Sequence, residues 1–235
     1  MIFLKSQNIL FLRPRKVAST SFEIALSKFA KSEDIITPFL TNDEDTRQSL
    51  GFPGPQNYLY SFSEKLSRRL KGRKGQRRGR KKFYHHMSAG SVREKLGAEV
   101  FDQAFKVSII RNPYDALVSM YYWQNKRPKA RPSFRDWALQ NPKELIVNQN
   151  TYLIDGSNVI DFLIRFENFD EDIRKLEGLH PGLSGLADTF SGLSSKTGLR
   201  PAKATPAAMF ADEPDLAAAV RFYNDFAISQ FNYTL

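Results

Sequence analysis

The sequence predicts an α/β fold in which a central parallel sheet is flanked by helices. Short apolar runs at 8–13, 105–110 and 159–166 read as buried strands, and each is followed by a stretch with helical spacing. Strands alternating with helices favour a parallel sheet covered on both faces. The chain has 235 residues, 41% of them apolar, which suits one ordinary domain spanning 1–235.

The elements follow in order. Asn8 to Arg13 (NILFLR) is an apolar run stopped by Pro14. Phe22, Ala25, Leu26 and Phe29 then recur at helical spacing. The span from Thr37 to Tyr60 is rich in Pro, Gly, Asn and Asp and reads as loop. Gly72, Gly75, Gln76 and Gly79 interrupt any pattern in the basic segment that follows, so 65–82 is expected to be a flexible insertion. Phe83 to His86 reads as a short strand, and Ser88 to Leu96 as a helix with Ser88 and Ser91 as candidate N-caps. Phe105 to Ile110 (FKVSII) is a second buried strand. Asn112-Pro113 ends it, and Tyr114 to Trp123 continues as a helix with Pro113 at its first position. One or two helices fall between Pro132 and Asn150. Val159 to Phe166 is the third strand, and Asn168 to Leu176 the helix after it. Leu179 to Ala211 reads mostly as loop, and Pro214 to Phe231 as a closing amphipathic helix.

Composition narrows the chemistry. There is no cysteine, so disulfide frameworks, thiol catalysis and cysteine-based metal sites are excluded. Of 35 Lys and Arg residues, eleven fall within 65–82, which holds no acid; the remaining 24 face 25 Asp and Glu. The net charge of +10 is therefore local to one segment. Met1 to Leu12 is broken by polar residues at 5–8 and does not read as a signal peptide, and no run approaches a membrane span. The chain is expected to be soluble and cytoplasmic. Asn232-Tyr233-Thr234 fits a glycosylation sequon but carries no weight without a secretory signal.

Two loops leave the carboxyl ends of predicted strands, where open α/β sheets bind ligands. The first is Arg13-Pro14-Arg15-Lys16-Val17-Ala18-Ser19-Thr20-Ser21. A helix N-terminus offers free N–H groups and partial positive charge to an anion. Ser19, Thr20 and Ser21 add hydroxyls, Ala18 leaves room for backbone approach, and Lys16 adds a full charge. An ordinary Ser/Thr helix cap with solvated cations nearby has the same composition, so the loop alone leaves both readings open. It lacks the G-x-x-x-x-G-K-[ST] pattern of ATP and GTP loops. The second loop is Arg111-Asn112-Pro113-Tyr114-Asp115, with Ser119 eight residues after Arg111. Nucleotide triphosphatases usually carry an Asp at this strand end to help hold Mg²⁺. An Arg there attracts a second phosphate instead, unless it merely pairs with Asp115 one helical turn on. Together the loops suit a ligand with two separate anionic groups and no metal.

These residues resemble the sulfotransferases that use 3′-phosphoadenosine-5′-phosphosulfate (PAPS), most closely the glycan-modifying branch that includes heparan sulfate 2-O-sulfotransferase. Lys16 to Ser21 resembles the family's 5′-phosphosulfate loop, and Arg111 to Asp115 with Ser119 its 3′-phosphate motif. Arg165-Phe166-Glu167-Asn168-Phe169 with Asp172 is similar to a strand-to-helix segment of that branch. The resemblance spans residues 8 to about 177. It implies a P-loop-like three-layer fold and transfer of a sulfuryl group from PAPS to an acceptor hydroxyl, on a carbohydrate or glycolipid. By the same resemblance Lys16 steadies the leaving group, Arg15 and Val17 to Ser21 complete the phosphosulfate site, and Arg111 and Ser119 hold the 3′-phosphate. Lys196 and Arg200 fit a late loop closing on the nucleotide.

The transfer needs a base, and histidine has the suitable pKa. The chain has three: His85, His86 and His180. Phe83-Tyr84-His85-His86-Met87 resembles the branch's histidine segment. His86 is the first candidate, being nearest the following helix start, and His85 the second. His180, beside Pro181 and Gly182, reads as a loop histidine. The basic segment 65–82 suits an anionic polysaccharide acceptor; it lacks the interleaved aromatics of single-strand binders, and nucleic acid is not the expected partner. Two rivals remain at this stage. One is a polyanion- or nucleic-acid-binding protein acting through 65–82. The other is a P-loop kinase, which would need Mg²⁺ ligands and a glycine-rich loop.

Overall fold

Ile2–Leu4 (β1) and Ile9–Phe11 (β2) form an antiparallel hairpin that pairs Ile2 with Phe11 and Leu4 with Ile9. A single 3-10 turn at Lys5–Gln7 and Asn8 in the left-handed region make the reversal. Asn enters that region more readily than most residues with a Cβ, and here its side-chain amide donates to the Gln103 carbonyl at 2.8 Å. The computed structural model describes residues 1–39, 43–64, 66, 81–126, 131–193 and 200–235. Within these, five strands form one sheet in the order β3-β1-β2-β4-β7. β3 is Ile35–Ile36, β4 Phe105–Ile110 and β7 Phe162–Arg165, while Leu153–Ile154 (β5) and Ser157–Asn158 (β6) form a separate small hairpin. β2, β4 and β7 run parallel; β1 is antiparallel to both of its neighbours, so the sheet is mixed rather than wholly parallel.

Both faces of the sheet are apolar, as expected for strands covered on two sides. Ile9, Phe11, Val107, Ile109 and Ile164 face one core. Ser19–Ser27 (α1) and Phe169–Leu179 (α8) cover it with Phe22, Leu26, Ile173 and Leu176. Phe3, Leu10, Leu12 and Ile110 face the other, covered by Val92 of Ala89–Leu96 (α3) and Phe101 of Ala98–Gln103 (α4). A third cluster joins Pro113–Gln124 (α5) and Phe134–Gln140 (α6) to the C-terminal helices.

Several boundaries differ from the sequence reading. Asp43–Ser49 (α2) is helical inside a span read as loop; three acids in its first turn suit the helix dipole. Phe83 to His86 is not a strand: Lys81 bridges to Leu59, and the chain then turns at His85 and His86. The third strand is shorter than 159–166. Gln149–Tyr152 (α7) precedes the small hairpin. Leu186–Ser191 (α9) and Pro206–Phe210 (α10) lie in the stretch read mostly as loop. The closing helix is two, Pro214–Tyr223 (α11) and Asp225–Phe231 (α12), broken at Asn224. The buried Asn224 side-chain amide donates to the Leu145 and Val220 carbonyls, each at 2.7 Å, and its oxygen accepts the Val147 N–H at 2.8 Å. The basic segment, apart from Leu66, Lys81 and Lys82, and Lys196 lie outside the described residues. Among the described residues no helix is long and apolar enough to cross a membrane.

Candidate functional site

β2 and β4 end side by side, so the loops they feed face each other. In the first loop Lys16 (φ 61°) and Ala18 (φ 53°) both adopt left-handed conformations, which L-residues with a Cβ rarely hold without support. Ala18 is the N-cap of α1 and supplies no side-chain cap. The first N–H groups of α1 therefore have neither an intrahelical acceptor nor a side-chain cap from Ala18, a condition in which a helix start can receive an anion.

The support comes from Arg13, which is buried. It donates to Glu23 at 2.9 Å and Thr20 Oγ1 at 2.6 Å, and reaches Ser19 Oγ at 3.3 Å. Glu23 is fully buried and also receives the Met1 nitrogen, and these two cations hold its carboxyl below the ordinary glutamate range against the opposing effect of burial. Two of the expected anion donors are therefore partly spent. Ser19 gives its proton to the Pro14 carbonyl at 2.8 Å, and Thr20 accepts from Arg13, which leaves only its own proton to offer. Ser21 has no hydroxyl partner among the described residues.

Arg111 ties the second loop to the first. Its Nη1 donates to the Lys16 carbonyl at 2.6 Å, its Nε to Asp115 at 2.6 Å, and its guanidinium lies 3.9 Å from the Phe166 ring centroid. The i,i+4 pair with Asp115 is thus formed. Asp115 is shared, however: Arg200 binds its other oxygen, so two guanidinium groups face one carboxylate. Ser119 follows Asp115 by one turn on the same face of α5. Trp123, one turn further, has Lys16 Nζ 5.2 Å and Lys126 Nζ 5.3 Å from its ring centroid.

Lys16 itself has no acidic partner among the described residues. Burial first, then Arg111, Lys126 and Arg15, lower its ammonium from the ordinary 10.5 to about 8. A half-buried cation surrounded by cations is an arrangement a bound anion would stabilise.

Lys16 also lines a cleft of about 340 Å³ together with Arg15, His86, Ser88, Glu144 and Asn148. The sequence-predicted cation and the first-choice histidine therefore meet in one concavity. His86 sits at φ 54°, with Nδ1 3.2 Å from the Arg13 carbonyl. A carbonyl only accepts, so the neutral ring carries its proton on Nδ1 and leaves the Nε2 lone pair free. Burial, with Arg13 adding to it, lowers this imidazole to about 3. His85 packs edge-on against His86, ring centroids 5.3 Å apart, and is not among the residues lining the cleft. His180 packs at a tilt against Phe105, ring centroids 4.4 Å apart, at the far end of β4 from both loops.

Two residues of the site, Asn148 and Glu144, were not singled out from sequence. Asn148, left-handed at φ 57°, clamps the backbone of Arg15, accepting its N–H at 2.7 Å and donating to its carbonyl at 2.9 Å. Glu144 receives Arg15 on both oxygens and Gln124 as well. Phe166 forms the platform beneath Arg111. No sequence spacing announces Asn148 or Glu144, since each acts across more than 120 residues on Arg15. The third motif is a structural clamp: Arg165 holds Asp172 through Nε at 2.8 Å and Nη2 at 2.6 Å, fixing α8 to the end of β7. No protein-family model matches the chain, and no curated protein or solved structure is significantly similar to it.

Proposed function

We propose that this protein is a PAPS-dependent sulfotransferase of P-loop-like architecture that acts on a hydroxyl of a carbohydrate or glycolipid. The observation that carries this reading is the meeting of Lys16 and His86 in one cleft, beside the uncapped N-terminus of α1 and within reach of the Arg111–Asp115–Arg200 cluster. The donor set fits the nucleotide. Lys16, Ser21 and the α1 amides suit a 5′-phosphosulfate, while Arg111, Arg200 and Ser119 form a second cationic centre suited to a 3′-phosphate.

In this reading His86 Nε2 takes the proton of the acceptor hydroxyl as its oxygen bonds to sulfur. The sulfur–oxygen bond to the 5′-phosphate breaks, and the electron pair stays on the phosphate oxygen. Lys16 and the α1 N-terminus are set before the reaction where that charge develops, so little reorganisation is needed. The low basicity of His86 belongs to the ligand-free site; a bound phosphosulfate brings negative charge beside the ring and raises it toward a useful value. The left-handed backbone at Lys16, Ala18 and His86 supports the reading, because such strain collects at functional sites.

Calorimetric titration with 3′-phosphoadenosine-5′-phosphate, without Mg²⁺ and beside ATP, tests it. The expected result is tight binding of the bisphosphate, weak binding of ATP, and loss of the former in Arg111→Ala. Absence of bisphosphate binding by the folded protein would sink the proposal.

A further inference from the structure

The segment that follows α12 reaches back to the second loop. Asn232, left-handed at φ 51°, ends the helix, and the Tyr233 N–H bonds to the Ile228 carbonyl at 3.1 Å. The Tyr233 ring packs against two of the apolar clusters and stacks on Phe231, ring centroids 5.7 Å apart. Its hydroxyl donates to Glu167 at 2.9 Å. The other oxygen of that carboxylate accepts the Asn112 N–H at 3.0 Å. The Asn112 side-chain amide in turn donates to the Thr234 carbonyl at 2.7 Å. Asn112, Glu167 and the Tyr233-Thr234 pair thus close one ring of hydrogen bonds, although they lie far apart in the chain.

This ring encloses the supports of Arg111. Asn112 directly follows Arg111, and Glu167 directly follows Phe166, whose ring centroid lies 3.9 Å from the Arg111 guanidinium. Glu167 therefore ties the backbone beside Arg111 to the 3-10 turn, Phe166–Asn168, that carries its platform. Asn112 also caps α5 by accepting the Tyr114 N–H at 3.0 Å, which fixes the start of the helix that bears Asp115 and Ser119. Burial first, then the Glu167 carboxylate, raise the Tyr233 phenol above its ordinary value, so it keeps the proton that this bond uses. The fold has other supports at this place: Arg165 holds Asp172 at the end of β7, and the Tyr233 ring stays packed without its hydroxyl. We propose that Glu167 and Tyr233 are positioning residues for the second anion site, holding Arg111 where it meets a 3′-phosphate. The identity of that phosphate rests on the sulfotransferase reading; the clasp itself does not.

Calorimetry that compares 3′-phosphoadenosine-5′-phosphate with adenosine-5′-phosphosulfate, which lacks the 3′-phosphate, tests the proposal. Tyr233→Phe should weaken the bisphosphate about fivefold, and Glu167→Ala, which loses both bonds, at least about tenfold. The phosphosulfate should change less than about twofold, because the first loop keeps its own supports. Glu167→Gln keeps an acceptor for the Asn112 N–H and should recover most of the loss. Equal weakening of both nucleotides, or an unchanged bisphosphate affinity in Glu167→Ala, would overturn the proposal. Amide exchange in the ligand-free protein gives a second readout that needs no nucleotide. Tyr233→Phe should speed exchange at Asn112 at least about threefold and leave Val107 to Ile110 unchanged; no change at Asn112 would also overturn it. A wild type that binds neither nucleotide but shows the exchange response would sink the sulfotransferase reading and uphold the clasp on Arg111.

Discussion

The unpaired ammonium of Lys16 makes anion binding at the first loop dependent on pH, with a sign and size that follow from the site. Its pKa in the free protein is lowered to about 8, by burial first and then by Arg111, Lys126 and Arg15. A phosphate seated against it favours the charged form and raises that value. Binding therefore takes up a proton and weakens as pH rises through 8. If only the charged form binds, the apparent dissociation constant scales as one plus ten to the power of pH minus 8. It grows about tenfold from pH 7 to pH 9, with roughly half a proton taken up at pH 8. The second ionisation of a phosphate monoester, near about 6, is almost complete over this range and adds little. Titrations with 3′-phosphoadenosine-5′-phosphate at pH 7, 8 and 9, in two buffers of different ionisation heat, give both quantities. Lys16→Arg removes the dependence, because a guanidinium does not deprotonate here. A flat wild-type affinity, or a slope that persists in Lys16→Arg, would refute the assignment of the titration to Lys16.

The other expectations concern the base and the supports of the loop. His86→Asn, chosen because Asn tolerates the left-handed backbone, should lower kcat for sulfuryl transfer by about 10²–10⁴ while bisphosphate affinity is kept. Because the imidazole of the free protein lies near 3, kcat/KM for PAPS, which reports the ligand-free site, should show no acid limb from His86 between pH 5 and 7; a limb there that vanishes in His86→Asn would contradict this. Asn148→Ala loses two hydrogen bonds to Arg15 and places Ala at φ 57°, for about 2–3 kcal/mol by urea unfolding. Asn148→Gly should recover the backbone share, and equal losses in the two variants would exclude the strain argument. Arg47 is fully buried; among the described residues its Nε and Nη2 have no partner and its hydrogen bonds go to Glu44 alone, with the guanidinium 4.2 Å from the Phe39 ring centroid. Replacing a poorly satisfied buried charge with an apolar side chain is often stabilising, so Arg47→Met should raise stability by about 1 kcal/mol. Glu44 keeps its bond to the Phe39 N–H and its access to water. A loss of more than about 1 kcal/mol would show that the guanidinium is needed.

Features that depend on neighbours along the chain were readable from residue order. β2, β4 and β7 were legible because a buried strand needs a short unbroken apolar run. The helices that follow were legible from spacing, from Ser88 as an N-cap and from Pro113 at a first turn. The cationic character of both loops was equally plain, as was the i,i+4 relation of Arg111 to Asp115. Features that depend on partners far apart in the chain came from the packed fold. The reversed strand β1 was not distinguished because three apolar residues carry no direction. α2 was missed because Pro and Gly around it outweighed a charged helix that packs few apolar side chains. Which histidine faces the cleft turns on a bond between His86 and a carbonyl 73 residues away, and Arg200 reaches Asp115 across 85. The duties of Ser19 and Thr20 were likewise set by the buried Arg13–Glu23 pair, since a hydroxyl's free bonding capacity is fixed by what surrounds it, not by its place in a motif. Local pattern sets which elements form and which charges they carry; long-range packing sets which of those groups remain free to bind.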